Sequence, residues 1–173
     1  MKAMPNYNPS TIARIADIES GIRVDTGSIA AATYLRNGTQ VELFNVYGRI
    51  KVINLFLEVI TALSNNAYTA KFNATFTTPS IAVADMSAAC ASTAQLAAGR
   101  RITWLGGAVA TAAIVTQSAG ISLLGATPQV IGGIGFVGTI GILGAAANHD
   151  SGACIATIFY VPWSDGAYVT AAL

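Results

Sequence analysis

Residues 102–149 contain no Asp, Glu, Lys or Arg, which is 48 consecutive positions without a formal charge. At an ordinary charged fraction of about 25%, a run of that length has a chance probability of roughly 10⁻⁶. A free-standing soluble domain carries charges on its outside for solubility. The stretch therefore belongs either in lipid or under a cover of protein.

The most lipid-like part is 130–147, eighteen uncharged residues. A transmembrane helix needs about 20 predominantly apolar ones. Six of the eighteen are glycine: Gly132, Gly133, Gly135, Gly138, Gly141 and Gly144. Each costs a helix about 1 kcal/mol relative to alanine. Five of them recur at every third position, which spirals around a helix instead of lining one stripe. No Lys or Arg flanks the segment to orient it. The rest of the run reads as short β-branched strands, Ile102–Leu105, Ala112–Thr116 and Ile121–Leu124, separated by Gly106-Gly107, Ser118-Ala119-Gly120 and Gly125 to Pro128. Protein cover is the favoured reading. A membrane partner is not expected, and insertion of 130–147 is kept as an alternative.

The chain has 173 residues, enough for one domain with a real core, and 53% of them are hydrophobic. The net charge of +1 gives no basic surface for nucleic acid. Twelve of the seventeen charged residues lie within 1–71. Cys90 and Cys154 stand 64 residues apart with no CxxC motif, and read as two buried thiols, not as a disulfide. Met1 to Asn6 has no apolar segment after its lysine, so no secretory leader is expected.

Residues 1–28 differ from the rest and read as an N-terminal arm. Asn8 and Pro9 suit the start of a short helix. Ile12, Ile15, Ile18 and Ile22 then recur at helical spacing, although 22–24 equally suits a strand. Next comes a predicted antiparallel meander. Ala31–Leu35 reads as a strand, Asn37-Gly38 as a hairpin turn, and Gln40–Val46 as an alternating strand. A long strand over 49–62 follows Gly48. Its polar positions change phase between Lys51 and Asn54, which predicts a bulge near Val52-Ile53. Ser64 to Asn66 turns the chain into a strand over 68–76. Residues 86–99 fit a short helix or a loose strand equally. Strands at 153–161 and 167–170 close the chain around a turn at Pro162 to Gly166. Some ten strands predict an all-β fold, an antiparallel β-sandwich or jelly-roll-like barrel over 29–173.

Catalytic candidates are few. His149-Asp150-Ser151 cannot form a triad, because adjacent residues cannot reach one another in that geometry. The segment 148–152 reads as a polar loop, and Cys154 as a buried thiol and not the partner of His149. One histidine and eight scattered acids make no metal cluster, and Asp17 and Glu19 read as solvated arm residues. A glycosidase-type carboxylate pair would draw on Asp85, Asp150 and Asp165 in the second half, each of which reads as a turn residue. Trp104, Trp163, Tyr68, Tyr160 and Tyr168 could stack on sugars or bases, but they fall on separate strands and suit core and interface packing. No enzymatic activity, cofactor or metal is expected.

Three stretches carry a resemblance: Glu42 to Ala62 (strand, glycine, long strand), Ala70 to Asn73 running on to Asp85 and Cys90, and Gly152 to Ala172 with its Tyr160-Val161-Pro162 ending, acidic turn and short Val/Ala tail. Together they resemble small virion structural proteins of tailed bacteriophages, loosely over 36–173. The resemblance implies a head decoration (cement) protein or another capsid-associated component, and a symmetric trimer. It carries over no catalytic residue. The expected partners are further copies of the chain, with three as the best guess, and the major capsid protein; the expected location is the capsid surface, after assembly in the host cytoplasm. Interface candidates are Ile12, Ile15 and Ile18 on the arm, the basic pair Arg100 and Arg101, and Ile134 and Ile140 in the glycine-rich segment. A tail or receptor-binding component is the runner-up.

Overall fold

A computed structural model describes residues 21–104, 106, 113–115 and 129–173. The chain is all-β and its strands form two antiparallel sheets. The elements are β1 (Ile22–Asp25), β2 (Ile29–Ala30), a one-turn helix α1 (Ala31–Tyr34), β3 (Gln40–Tyr47), β4 (Ile50–Thr61), β5 (Thr69–Thr78), β6 (Ile81–Asp85), β7 (Arg101–Trp104), β8 (Ile114–Val115), β9 (Gln129–Ile131), β10 (Val137–Ala145), β11 (Ala153–Pro162) and β12 (Tyr168–Ala171). The larger sheet runs β1-β11-β4-β7-β8, with β2 paired to β11 and β9 to β4. The smaller runs β12-β3-β10-β5-β6.

The sheets face each other across one core. Val41, Phe44, Phe72, Ile140 and Ile142 come from the smaller sheet; Leu55, Leu57, Ile102, Trp104 and Ile158 come from the larger. Each large apolar side chain fully buried here contributes about 1.5–3 kcal/mol. The bulge expected near Val52-Ile53 is present. Phe159 pairs with Asn54 and Tyr160 with Val52, so Ile53 is the extra residue. Before it Ile50 and Val52 face the core, and after it Leu55, Leu57 and Val59 do. One inserted residue thus keeps a twelve-residue strand apolar-side-in despite its shifted sequence pattern.

The predicted meander does not form. β3 and β5 lie in the smaller sheet and β4 in the larger, so the chain crosses between sheets at Gly48 and again after Thr61. The turn's backbone is satisfied by distant segments, not by a local hairpin: Gly48 N–H donates to Phe136 O (2.7 Å) and Arg49 N–H to Ser164 Oγ (3.1 Å). Ala31–Leu35 is likewise not a strand. Leu35 N–H returns to Ala31 O (2.8 Å) in a helical turn. Asn37 and Gly38 do turn the chain, but they are tied to Asn148 Oδ1 and Gly144 O. Residues 86–99 form neither a helix nor a regular strand.

The arm boundary also moves. Ile22–Asp25 is an edge strand paired with β11 (Ile22 to Tyr160 through Asp25 to Thr157), and Thr26 N–H bonds Ala156 O (2.9 Å). Residues 22–26 therefore belong to the sandwich. The predicted helix, with Ile12, Ile15 and Ile18, lies outside the described residues, as does the strand predicted at 121–124.

The segment 130–147 is a strand, a turn and a strand. Among the described residues no helix is long and apolar enough to cross a membrane. β10 is the central strand of the smaller sheet, hydrogen-bonded to β3 on one side and β5 on the other. Its glycines allow close approach: a Cβ on Gly144 would sit 2.3 Å from Arg36 O and 2.5 Å from the Tyr68 ring. Much of the missing charge is thus explained within the chain, because Ile102, Trp104, Ile140 and Ile142 are covered by other strands of the same molecule.

Candidate functional site

Among the described residues, a buried cluster of side chains with acid–base character centres on His149, which is 1% exposed. The loop between β10 and β11 places it, and His149 N–H bonds Leu35 O (3.0 Å). The ring lies 2.9 Å from Ser64 Oγ through Nδ1 and 2.9 Å from Thr93 Oγ1 through Nε2, tilted against Tyr68. Thr93 already donates its hydroxyl proton to Tyr68 O (3.0 Å). The proton between Thr93 and the ring is therefore assigned to Nε2, and Nδ1 accepts from Ser64. Burial holds the imidazole below its ordinary pKa of 6.5, with the nearby Asp150 carboxylate opposing.

A serine beside an imidazole invites comparison with a nucleophile–base pair. In such a pair the distal ring nitrogen commonly donates to an orienting carboxylate. Here it donates to a threonine hydroxyl, and the Asp150 carboxylate instead accepts from Asn66 Nδ2 (2.7 Å). Ser64 Oγ also accepts from Asp150 N–H (3.1 Å). The network fastens the loops around residues 35, 64–66, 93 and 148–150 to one another. Cys154 lies in β11, fully buried, and burial pushes its thiol up to about 12, away from a reactive thiolate. Cys90 is raised as well, chiefly by burial, and both cysteines are free thiols.

The more distinctive surface is apolar. Among the described residues eight large hydrophobic side chains are exposed, and five of them, Val130, Ile134, Val137, Trp163 and Tyr168, converge on one end of the sandwich. The crossing at Tyr47–Lys51 gathers them. Tyr47 pairs with Val137 on one side and with Tyr168 on the other. The Tyr47 and Tyr168 rings stack with centroids 4.4 Å apart. Lys51 pairs with Val130 and lays its ammonium 5.4 Å from the centre of the Trp163 ring. Ile134, at the tip of the β9–β10 turn, is 81% exposed.

The interface candidates from the sequence fall in different places. Ile134 lies on this end. Ile140 does not: it is 0% exposed, with Phe44 and Ala74 as its strand neighbours, and it is a core residue, because β10 is flanked on both sides. Arg101, which the sequence offers as part of a solvated turn or, alternatively, as a cation for a neighbouring subunit, is engaged within the chain. Its guanidinium bonds Glu58 (Nε to Oε2, 2.7 Å) and stacks 4.4 Å from the centre of Phe56, because β7 lies beside β4. The Arg100 carbonyl accepts from Val59 N–H (2.9 Å). Of the five aromatics considered, Trp104, Tyr68 and Tyr160 are core, whereas Trp163 and Tyr168 are exposed. Trp163 and Tyr168 are among the aromatics that the sequence suits to core and interface packing, whereas it does not single out Val130 and Val137. Nothing local marks them, since only the crossing at Gly48 brings their strands together.

Comparison of the chain with protein-family profiles, with curated proteins and with solved structures finds no match in any of the three.

Proposed function

We propose that the chain is a non-enzymatic structural component of a tailed-bacteriophage virion, a decoration protein that assembles with its own copies, three as the best guess, and sits on the head against the major capsid protein. The observation that carries this reading is the apolar end. A sandwich that covers its core so fully, yet leaves Val130, Ile134, Val137, Trp163 and Tyr168 together at one end, offers a surface suited to association. The resemblance of 36–173 to small virion proteins supplies the context. The N-terminal arm is the proposed second contact with the particle, since its sequence sets Ile12, Ile15 and Ile18 among the charged residues Arg14, Asp17 and Glu19.

The test is location. Purified particles of the virus that encodes the chain are probed with labelled antibody and weighed for stoichiometry. Regular copies on the head surface are the expected result, and absence from particles would overturn the reading. A tail or receptor-binding component is the second reading, favoured by the exposed rings of Trp163 and Tyr168, which suit stacking on sugars. Label on the tail would select it.

A further inference from the structure

We infer that the apolar end is where copies of this chain meet one another, with Asp165 of one copy facing Arg49 and Lys51 of the next. The inference rests on the oligomeric reading above and assigns the surface that reading leaves open.

Charge is the first argument for a second copy as the occupant. Among the described residues, ion pairs join Arg23 to Asp25, Lys71 to Asp85 and Arg101 to Glu58. No ion pair among the described residues engages Arg49, Lys51 or Asp165, and all three sit at this end. Arg49 and Lys51 flank Ile50 at the start of β4. Asp165 lies exposed in the turn between β11 and β12, whose Ser164 Oγ bonds Arg49 N–H and whose Trp163 N–H bonds Arg49 O (2.8 Å). One surface therefore carries both signs around an apolar centre. Such a surface can meet rotated copies of itself in a closed ring, the acidic turn of each facing the basic residues of the next.

Order is the second argument. The Tyr47–Tyr168 stack and the Lys51–Trp163 contact already hold the rings in place, so little side-chain freedom is lost on docking. Ile134 stands out of this ordered ground between Gly133 and Gly135, and a symmetry axis through the end would bring the Ile134 side chains of all copies together. A lipid surface fits less well, because the exposed Asp165 beside these side chains would have to enter the headgroup region.

The experiment uses the full chain in analytical ultracentrifugation across micromolar concentrations, with circular dichroism as a fold control. The wild type is expected to sediment as an oligomer, near three times the 17.7 kDa chain mass. Ile134→Asp should yield a folded monomer. Lys51→Glu and Asp165→Lys should each weaken association by roughly tenfold or more, and the double reversal should recover most of the loss. An oligomer indifferent to Ile134→Asp and to both reversals would overturn the assigned surface while leaving the oligomeric reading intact. A wild-type monomer at all concentrations would overturn both, while leaving the particle location to its own test. Flotation of that monomer with phosphatidylcholine–phosphatidylglycerol vesicles, lost in Ile134→Asp, would assign the end to lipid and overturn the inference.

Discussion

β10 and the turn that leads into it belong to the same charge-free run, and they lack charge for opposite reasons. In β10, Ile140 and Ile142 are sealed between two strands and against the facing sheet, where a charge would be desolvated without a partner. In the turn, Ile134 is 81% exposed, and no packing among the described residues forbids a charge there. Absence of charge along a sequence is thus two signals superimposed: one is the cost of burial in the fold, and the other is a surface kept apolar. Only the second bears on association.

The sharpest way to break this comparison is to place the same charge in both regions. Ile140→Asp should cost on the order of several kcal/mol and leave little soluble folded protein. That is a loss of fold, seen as lost β-signal in circular dichroism, before any effect on assembly can be read. Ile134→Asp should keep the β-signal and lower the urea midpoint only by the share that association contributes, a share that shrinks on dilution. Equal stability losses in the two variants would mean that the turn is packed and the distinction is wrong.

The glycines give a second, smaller contrast. Gly144→Ala drives a methyl group towards Arg36 O and Tyr68, and should cost about 1–3 kcal/mol, as overpacking does. Gly135→Ala meets nothing within 4 Å and carries only the left-handed backbone cost at φ 74°, about 1–2 kcal/mol. Thermal denaturation of the pair checks the order.

His149, the last residue of the run, lies on the buried side and makes a pH prediction. Its folded-state pKa is depressed below 6.5, so below that pH the unfolded chain binds the proton more readily than the folded one. Stability should hold above pH 6.5 and fall as pH drops through the folded-state value. Urea titrations across this range test it, and His149→Gln, which removes the titration, should flatten the profile. Cys154 works in the other direction. Its thiol is raised from 9.0 to about 12, so its contribution is present below pH 9 and fades as pH rises above it.

The smallest expected effect is Arg101→Ala. The guanidinium is partly exposed, and its bond to Glu58 lies at the surface, so the loss should stay near 1 kcal/mol or less. A larger loss would show that the cation over Phe56 shields apolar surface on the outer face of the sheet, much as a side chain in the core does.

Much of the fold could be read along the chain wherever the determining physics is local. Alternation identifies β3, the run 153–161 reads as the strand that β11 is, the slipped pattern locates the bulge at Ile53, and the glycine-rich segment that suits a helix poorly holds β9 and β10. The misreadings fall where a turn's partners are distant. Asn37-Gly38 looks like a hairpin because a hairpin would satisfy its backbone, but Asn148 and Gly144 satisfy it instead. The candidate site was less legible still. Ile134 was found as a large apolar residue between glycines, and Ile140 met the same description in the core.

The sequence by itself therefore determined that the chain is all-β, where most strands begin and end, and that one part of it must avoid charge. These follow from side-chain period, β-branching and turn residues, which act over a few positions. The tertiary structure alone decided which strands share a sheet, that the chain crosses between sheets at Gly48, and which uncharged residues remain in water. Those depend on pairings between segments up to 130 or more residues apart, such as Thr26 with Ala156. Exposure is a property of what lies opposite a residue, and no local pattern encodes that.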